Sequence, residues 1–287
     1  MSRAFVFRAA AAVAFLGASF VAFTQNNGKA PALTIEKVKD DLYNIVGDGG
    51  NVAVLVTNEG VLLVDDKYEQ DHDQIVDRVK SVTNQPIKYI VSTHYHADHS
   101  GGNSKFNGQA LIFSPANARA GIVQKKQSNA PAGMVPANIT FTQEQSIWIG
   151  GKEVRARHFG RGHTDGDAVV YFPHDRTVHT GDLMSGNTPL IDYPGGGSVV
   201  EWTKTLDAVA ATWDYDTVIP GHGAVTNKAG LQAYSANVAK LRTRAQGLVR
   251  QGKSKDEVAK VMTAEFNWQP NGLQMEWSMP GIMTELK

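Results

Sequence analysis

Apolar residues fall along this chain in two rhythms. Short runs at residues 42–46, 52–57 and 61–64, parted by Gly-rich or Asn-Glu-Gly turns, predict a meander of strands. Ile75, Val76, Val79 and Val82 then recur at helical spacing, and residues 87–92 read as a buried strand. Further strands are predicted over 147–149, 154–158, 168–172 and 177–179, with 217–219 closing the series. Ser114 followed by Pro115 predicts a helix start, with Ser114 as N-cap and proline in the first turn. Ser198 and Glu201 have capping-box spacing ahead of Trp202, Leu206 and Val209. Leu231, Tyr234, Val238, Leu241, Ala245 and Leu248 form the apolar stripe of a long helix, and Ser254 with Glu257 caps a short one after it. Residues beyond Asn267, rich in Trp, Met and Pro, read as an irregular tail packed on the body. No internal repeat or low-complexity linker interrupts this order, which predicts one α/β domain with helices covering its sheets.

Composition narrows the chemistry. The 287 residues include 28 basic and 28 acidic side chains, so the formal net charge is zero and no long-range field recruits nucleic acid. Cysteine is absent, which removes disulfides, thiolate ligands, cysteine nucleophiles and a lipoprotein anchor; any metal must be held by nitrogen and oxygen. Near the N-terminus, Arg3 and Arg8 precede an apolar run over 9–23 and a polar stretch over 24–29, the pattern of a secretory signal. The run is shorter than the ~20 residues a spanning helix needs. An uncleaved anchor is the alternative. The expected organisation is a signal peptide over 1–24, a linker over 25–32 and one folded domain with C-terminal helices over 33–287, located in the periplasm or secreted.

The segment 89–102 reads YIVSTHYHADHSGG: a buried strand runs into three histidines, an aspartate and two glycines. In extended backbone alternate residues share a face, so His94 and His96 can point at one metal while Asp98 and His99 project elsewhere and suit a second. The glycines are expected to let the chain turn tightly into a helix. Single histidines are more often structural than functional. Here, however, GHTDGD at 162–167, HTGD at 179–182 and PGHG at 220–223 repeat the same placement of polar residues beside glycine at strand ends.

HYHADH, GHTDGD, HTGD and PGHG, in that order, resemble the successive metal motifs of the metallo-β-lactamase superfamily, over about residues 33–252. The resemblance implies an αβ/βα four-layer sandwich and two zinc ions per chain. His94, His96 and His163 would hold the first, Asp98, His99 and His222 the second, and Asp182 would bridge them. Asp65, the first aspartate of GVLLVDD, matches the family's acidic residue behind the ligands, where a metal-bound imidazole needs a partner; Asp66 is the alternative. A metal-bound hydroxide would cleave an ester, thioester, lactone or lactam bond of a small molecule, with Asp98 as the catalytic residue and no protein nucleophile.

Asp182 stands where β-lactamases of the cysteine-ligand subclass carry cysteine, and Ser185 where those enzymes commonly carry lysine. The pattern is therefore closer to glyoxalase II, lactonases and related hydrolases, and β-lactam hydrolysis is the second reading. A non-catalytic metal-binding module is the third. The expected partners are a small-molecule substrate, no nucleic acid, and no stable membrane association once the signal is removed. Loops over 128–138 and 184–197 are expected to shape the pocket, and Arg161 to meet an anionic substrate.

Overall fold

The computed structural model describes residues 32–186 and 188–287. The signal peptide expected over 1–24, and all but the last residue of the linker, lie outside the described residues. No helix among the described residues is long and apolar enough to cross a membrane.

The chain lays down two sheets in succession. The first has seven strands in sequence order: β1 (Thr34–Lys37), β2 (Leu42–Val46), β3 (Val52–Val56), β4 (Val61–Val64), β5 (Ile87–Val91), β6 (Leu111–Pro115) and β7 (Ile139–Phe141). β1 to β4 pair antiparallel as the meander predicted from the turns. β4 to β7 then pair in parallel, which requires crossovers. α1 (His72–Lys80) crosses from β4 to β5, α2 (Ala97–Ser100) and α3 (Asn103–Phe106) from β5 to β6, and α4 (Ala116–Val123) from β6 to β7.

The second sheet contains β8 (Glu144–Ile149), β9 (Lys152–Arg157), β10 (Val169–Phe172), β11 (Thr177–His179), β12 (Thr217–Ile219) and β13 (Thr226–Asn227), again in sequence order across the sheet. α5 (Val199–Thr212) makes the parallel crossover from β11 to β12. α6 (Lys228–Arg250), α7 (Lys255–Phe266) and α8 (Met279–Glu285) follow.

Period-two alternation explains the layers. On β3, Ala53 and Leu55 face the second sheet while Val52 and Val54 pack under α1 with Ile75 and Val79. On β10, Val170 and Phe172 meet that inter-sheet core, whereas Val169 and Tyr171 pack beneath α5 to α8 with Trp202, Leu231 and Met262. Both faces of these strands are buried, so they read as continuous apolar runs rather than alternating ones. The result is the expected α/β four-layer sandwich.

Several local expectations change. Ser114 is not an N-cap: Pro115 ends β6 and itself takes the cap position of α4, while Ser114 turns its hydroxyl to the Pro115 carbonyl. Ser198 does cap α5 by accepting from the Glu201 N–H, but its own N–H goes to the Gly162 carbonyl, so the box does not close. At α7 both legs between Ser254 and Glu257 form. The strand series ends on β13 rather than β12, because the chain doubles back to pair with β12 before entering α6. The tail is helical rather than irregular: a π-turn over Gln274–Ser278 leads into α8, and Trp268, Met279, Ile282 and Leu286 are buried against α7.

Candidate metal centre

The seven side chains singled out in the sequence converge where β5, β9, β11 and β12 end. His94 follows β5, His96 is the residue before α2, and Asp98 and His99 lie on its single turn. His163 sits in the loop between β9 and β10, Asp182 in the 3₁₀ turn Gly181–Leu183 after β11, and His222 just past β12. Their ligand-type atoms fall into three overlapping groups, each within 4.8 Å: His94, His96 and His163; His94, His99 and Asp182; and Asp98, His99 and His222. Close approach of backbone makes room for them. A Cβ on Gly50 would lie 2.2 Å from the His99 ring, and one on Gly221 2.0 Å from the Asp182 carboxylate.

The three-histidine group is fully buried and its ring orientations are set from outside. His163 Nδ1 donates to the Leu190 carbonyl at 2.7 Å, and His96 Nε2 donates to Asp192 Oδ2 at 2.8 Å. In the neutral rings those bonds leave lone pairs on His163 Nε2 and His96 Nδ1, which face each other at 2.9 Å; His94 Nε2 is 3.1 Å from the same His96 nitrogen. Lone pairs so close repel unless a cation lies between them. A tetrahedral ion with ligands at about 2.0–2.1 Å sets neighbouring donors roughly 3.3 Å apart, so the spacing and the donor chemistry fit a metal ion. Burial holds His94 well below the ordinary imidazole range, reinforced by the neighbouring histidines, and pushes His163 down to about 4. Both rings therefore stay neutral, the form that ligates.

The second group is richer in oxygen. His99 Nδ1 donates to Asp65 Oδ2 at 2.7 Å, turning Nε2 toward His222 Nε2 at 3.2 Å and Asp182 Oδ1 at 3.3 Å. Asp98 Oδ2 lies 3.1 Å from His222 Nε2. Burial alone would lower the His99 pKa, but the carboxylates of Asp182, Asp98 and Asp65 outweigh it and raise it well above the usual range, so this group attracts positive charge. Asp182 reaches both groups: Oδ1 faces His99 and His222, and Oδ2 is 3.7 Å from His163 Nε2. Its buried Oδ1 has no hydrogen-bond partner, as an atom awaiting a cation would.

Asp65 sits behind both groups. It ends β4 in left-handed backbone, φ 65°, which aspartate tolerates. It accepts from the Thr93 N–H at 2.7 Å, the Thr93 hydroxyl at 2.9 Å and His99. The Thr93 hydroxyl oxygen is in turn 3.0 Å from His94 Nδ1. Asp66 has no such role; it lies buried against Gly102, and burial raises its pKa well above the carboxylate range. Gly101 and Gly102 turn out to be ordinary right-handed residues, needed because a side chain there would strike the Ala97 and Asp66 carbonyls.

Sequence reasoning missed Asp192, Leu190 and Trp277. Asp192 also accepts from the Tyr95 hydroxyl, and the Trp277 ring lies 5.4 Å from that of His96. None belongs to a histidine motif, and the Pro-Gly-Gly-Gly run just after Asp192 marks a turn without signalling its contact with His96. The 184–197 loop does wall the site, supplying Leu190 and Asp192. From the 128–138 side the nearest tie is Gln127, whose side chain accepts from the Ala97 N–H. The Arg161 guanidinium donates to the Gly196 and Gly197 carbonyls and pairs with Glu201 at 3.4 Å, and the side chain lines a surface pocket with Tyr193, Pro194 and Trp277. His179 of the HTGD motif stays structural, with Nε2 on the Asn51 carbonyl and Nδ1 accepting from the Gly181 N–H.

Comparison with known proteins agrees with this geometry. The family described as "Metallo-beta-lactamase superfamily" matches residues 45–222. Metallo-beta-lactamase IND-1 of Chryseobacterium indologenes is 30% identical over 175 residues, covering 60% of this chain and 71% of that protein. Metallo-beta-lactamase type 2 of Elizabethkingia meningoseptica is 26% identical over 215 residues, covering 71% and 84%. Among solved structures, DIM-1 metallo-beta-lactamase superposes with a TM-score of 0.64 at 22% identity over 74% of this chain and 99% of that one, a likeness of fold.

Proposed function

We propose, for a chain that belongs to the metallo-beta-lactamase superfamily and is a metal-dependent hydrolase, that it is an exported two-zinc enzyme cleaving an ester, thioester, lactone or lactam bond of a small molecule. The observation that carries the two-ion reading is the Asp182 carboxylate, with one oxygen toward His99 and His222 and the other toward His163. His94, His96 and His163 would hold one ion, and Asp98, His99 and His222 the other. When bound, such ions act as Lewis acids and lower the pKa of a coordinated water from 15.7 to about 7.

The chain's own residues do the rest. Asp192, the Leu190 carbonyl and the Asp65–Thr93 pair orient the imidazoles before substrate arrives. Asp98 has a side chain 20% exposed, against 0% for His99. It therefore sits between the buried group and solvent, where its carboxylate can orient the attacking water and take up its proton. The Trp277 ring packs beside that of His96, with ring centroids 5.4 Å apart.

The test is metal content and turnover of the chain lacking residues 1–24, on a panel of lactone, thioester, phosphodiester and β-lactam substrates. Two zinc ions per chain, with activity lost on chelation and regained on reloading, is the expected result. Less than about one ion, or an unimpaired His96→Ala variant, overturns the reading. Similarity to named β-lactamases favours β-lactam turnover as the second reading, and nitrocefin in the panel decides it. Zinc binding that raises Tm without turnover on any substrate would mark a non-catalytic module. Export rests on the leader pattern, and N-terminal sequencing of the protein from periplasm or medium checks it.

A further inference from the structure

The tail that sequence reading leaves as an irregular appendage ends up against the metal centre. Residues 268–287 lie beyond the span matched by the family, yet every polar tie they make to the body near the site falls on one short stretch, 190–199. Ser278, fully buried, makes two bonds to Ile191: its hydroxyl donates to the Ile191 carbonyl at 2.9 Å and accepts from the Ile191 N–H at 2.9 Å. Ile191 is the residue between Leu190, whose carbonyl orients His163, and Asp192, whose carboxylate orients His96. One side chain from the tail therefore grips the backbone between the two residues that set two of the three imidazoles.

Two neighbouring contacts act on the same stretch. Glu285 accepts from the Tyr193 hydroxyl at 2.6 Å, the Val199 N–H at 3.1 Å and the Ser198 hydroxyl. Gly281 packs face to face with Tyr193, where a Cβ would come 1.9 Å from the ring. The tail is itself anchored, since Trp268, Met279, Ile282 and Leu286 are buried in the core beneath α5 to α7.

We infer that the C-terminal segment is a positioning element of the metal centre, with Ser278 fixing Ile191 so that the Leu190 carbonyl and Asp192 hold His163 and His96 in ligating geometry. The inference rests on the metal-binding reading above. A segment without the clamp leaves the Ile191 N–H and carbonyl buried and unpaired, and such groups drive local rearrangement. Partners behind metal ligands typically change affinity by about 10–100-fold when removed. Because Ser278 acts through the two partners of His163 and His96, about tenfold is the expected loss for the group formed by His94, His96 and His163.

The experiment compares the full mature chain with Ser278→Ala and with Met262→Ala, a buried α7 residue of the same core whose side chain makes none of the hydrogen bonds that tie the tail to the 190–199 stretch. Zinc and cobalt affinities are measured by competition with a chromophoric chelator, and the visible spectrum of the cobalt-loaded protein reports ligand geometry. Expected for Ser278→Ala is about tenfold weaker binding of the tighter ion and an altered cobalt spectrum, with faster amide exchange across 188–197. Met262→Ala should lower Tm yet keep affinity and spectrum. If Ser278→Ala lowers Tm with affinity and spectrum unchanged, or if Met262→Ala weakens binding equally, the tail is structural only and the inference is wrong. Should Ser278→Ala fail to fold, Glu285→Ala, which frees Tyr193 and leaves Ser278 in place, carries the same comparison with a loss of a few-fold, and unchanged affinity and spectrum there overturn the inference. Wild-type chain that binds neither metal would overturn the metal reading and this inference together; wild-type binding with an indifferent Ser278→Ala overturns this one alone.

Discussion

The two halves of the metal centre are built on different plans. His94, His96 and His163 are buried, and their rings are set by Asp192 and the Leu190 carbonyl on one segment and by Thr93 on another. Asp98, His99 and His222 use more oxygen and open to solvent, with the His222 side chain 34% exposed and Asp98 20% exposed. Among the described residues, His99 alone in that group is held from behind, by Asp65. On the two-ion reading proposed above, the difference implies a division of labour: the closed group is preorganised to retain an ion, while the open group leaves room for water and substrate beside Asp98.

The most severe test of this contrast removes one histidine from each group. His96→Ala should abolish binding at the closed group and cut turnover by more than the ~100-fold typical of losing a partner behind a ligand. His222→Ala should leave about one ion per chain, held by the closed group. An ion retained by His96→Ala as tightly as the one retained by His222→Ala, read by competition with a chromophoric chelator, would break the comparison.

A milder substitution sharpens it. Asp65→Asn keeps the shape but weakens the acceptor behind His99, and should lower affinity at the open group by about 10–100-fold, with a smaller loss at the closed group through Thr93 and His94. Stepwise metal titration reads the two sites separately. Equal losses at both would mean that Asp65 governs the centre as a unit.

The smallest effect tests whether the surroundings of the open group can be altered without touching it. Lys67 donates to the Asp48 and Gly50 carbonyls and so holds the loop that packs Gly50 on His99. Near it lies Asp71, whose carboxylate oxygens are buried without partners. Burial, then the charge of Asp48, push its pKa up to about 6 despite the attraction of Lys67. A folded-state pKa above the unfolded value favours folding below about pH 4 and costs stability as pH rises through 6. Asp71→Asn should therefore stabilise by about 1 kcal/mol at pH 7–8, allowing for solvent screening, raising Tm by roughly 2–4 °C, and do nothing near pH 4. Metal affinity should not move; a shift there would tie Asp71 to the site.

Much of the fold was legible because its signals are local. The strand runs, the α6 stripe and the Ser254–Glu257 box depend on neighbours a few residues away. The misreadings have specific causes. Ser-Pro is a common helix start and makes Ser114 read as a cap, but β6 continues through Pro115 to pair with Phe141 of β7. The tail lacked a clear period because its first helical stretch is a π-turn, and its apolar residues answer to α7 rather than to one another.

Through its resemblance to the superfamily's metal motifs, the amino-acid sequence determined which side chains would meet at the centre; strand-end position alone does not, since the strands that carry them lie in two sheets that do not pair and His179, also at a strand end beside glycine, stays out of the site. It also determined the donor chemistry, because a chain without cysteine offers only nitrogen and oxygen. Only the tertiary structure decided what orients those donors. Asp192 reaches His96 across 96 residues of chain, and Ser278 reaches Ile191 across 87. Such contacts leave no periodicity or spacing behind, because the partners are brought together by the burial of surfaces far from either one.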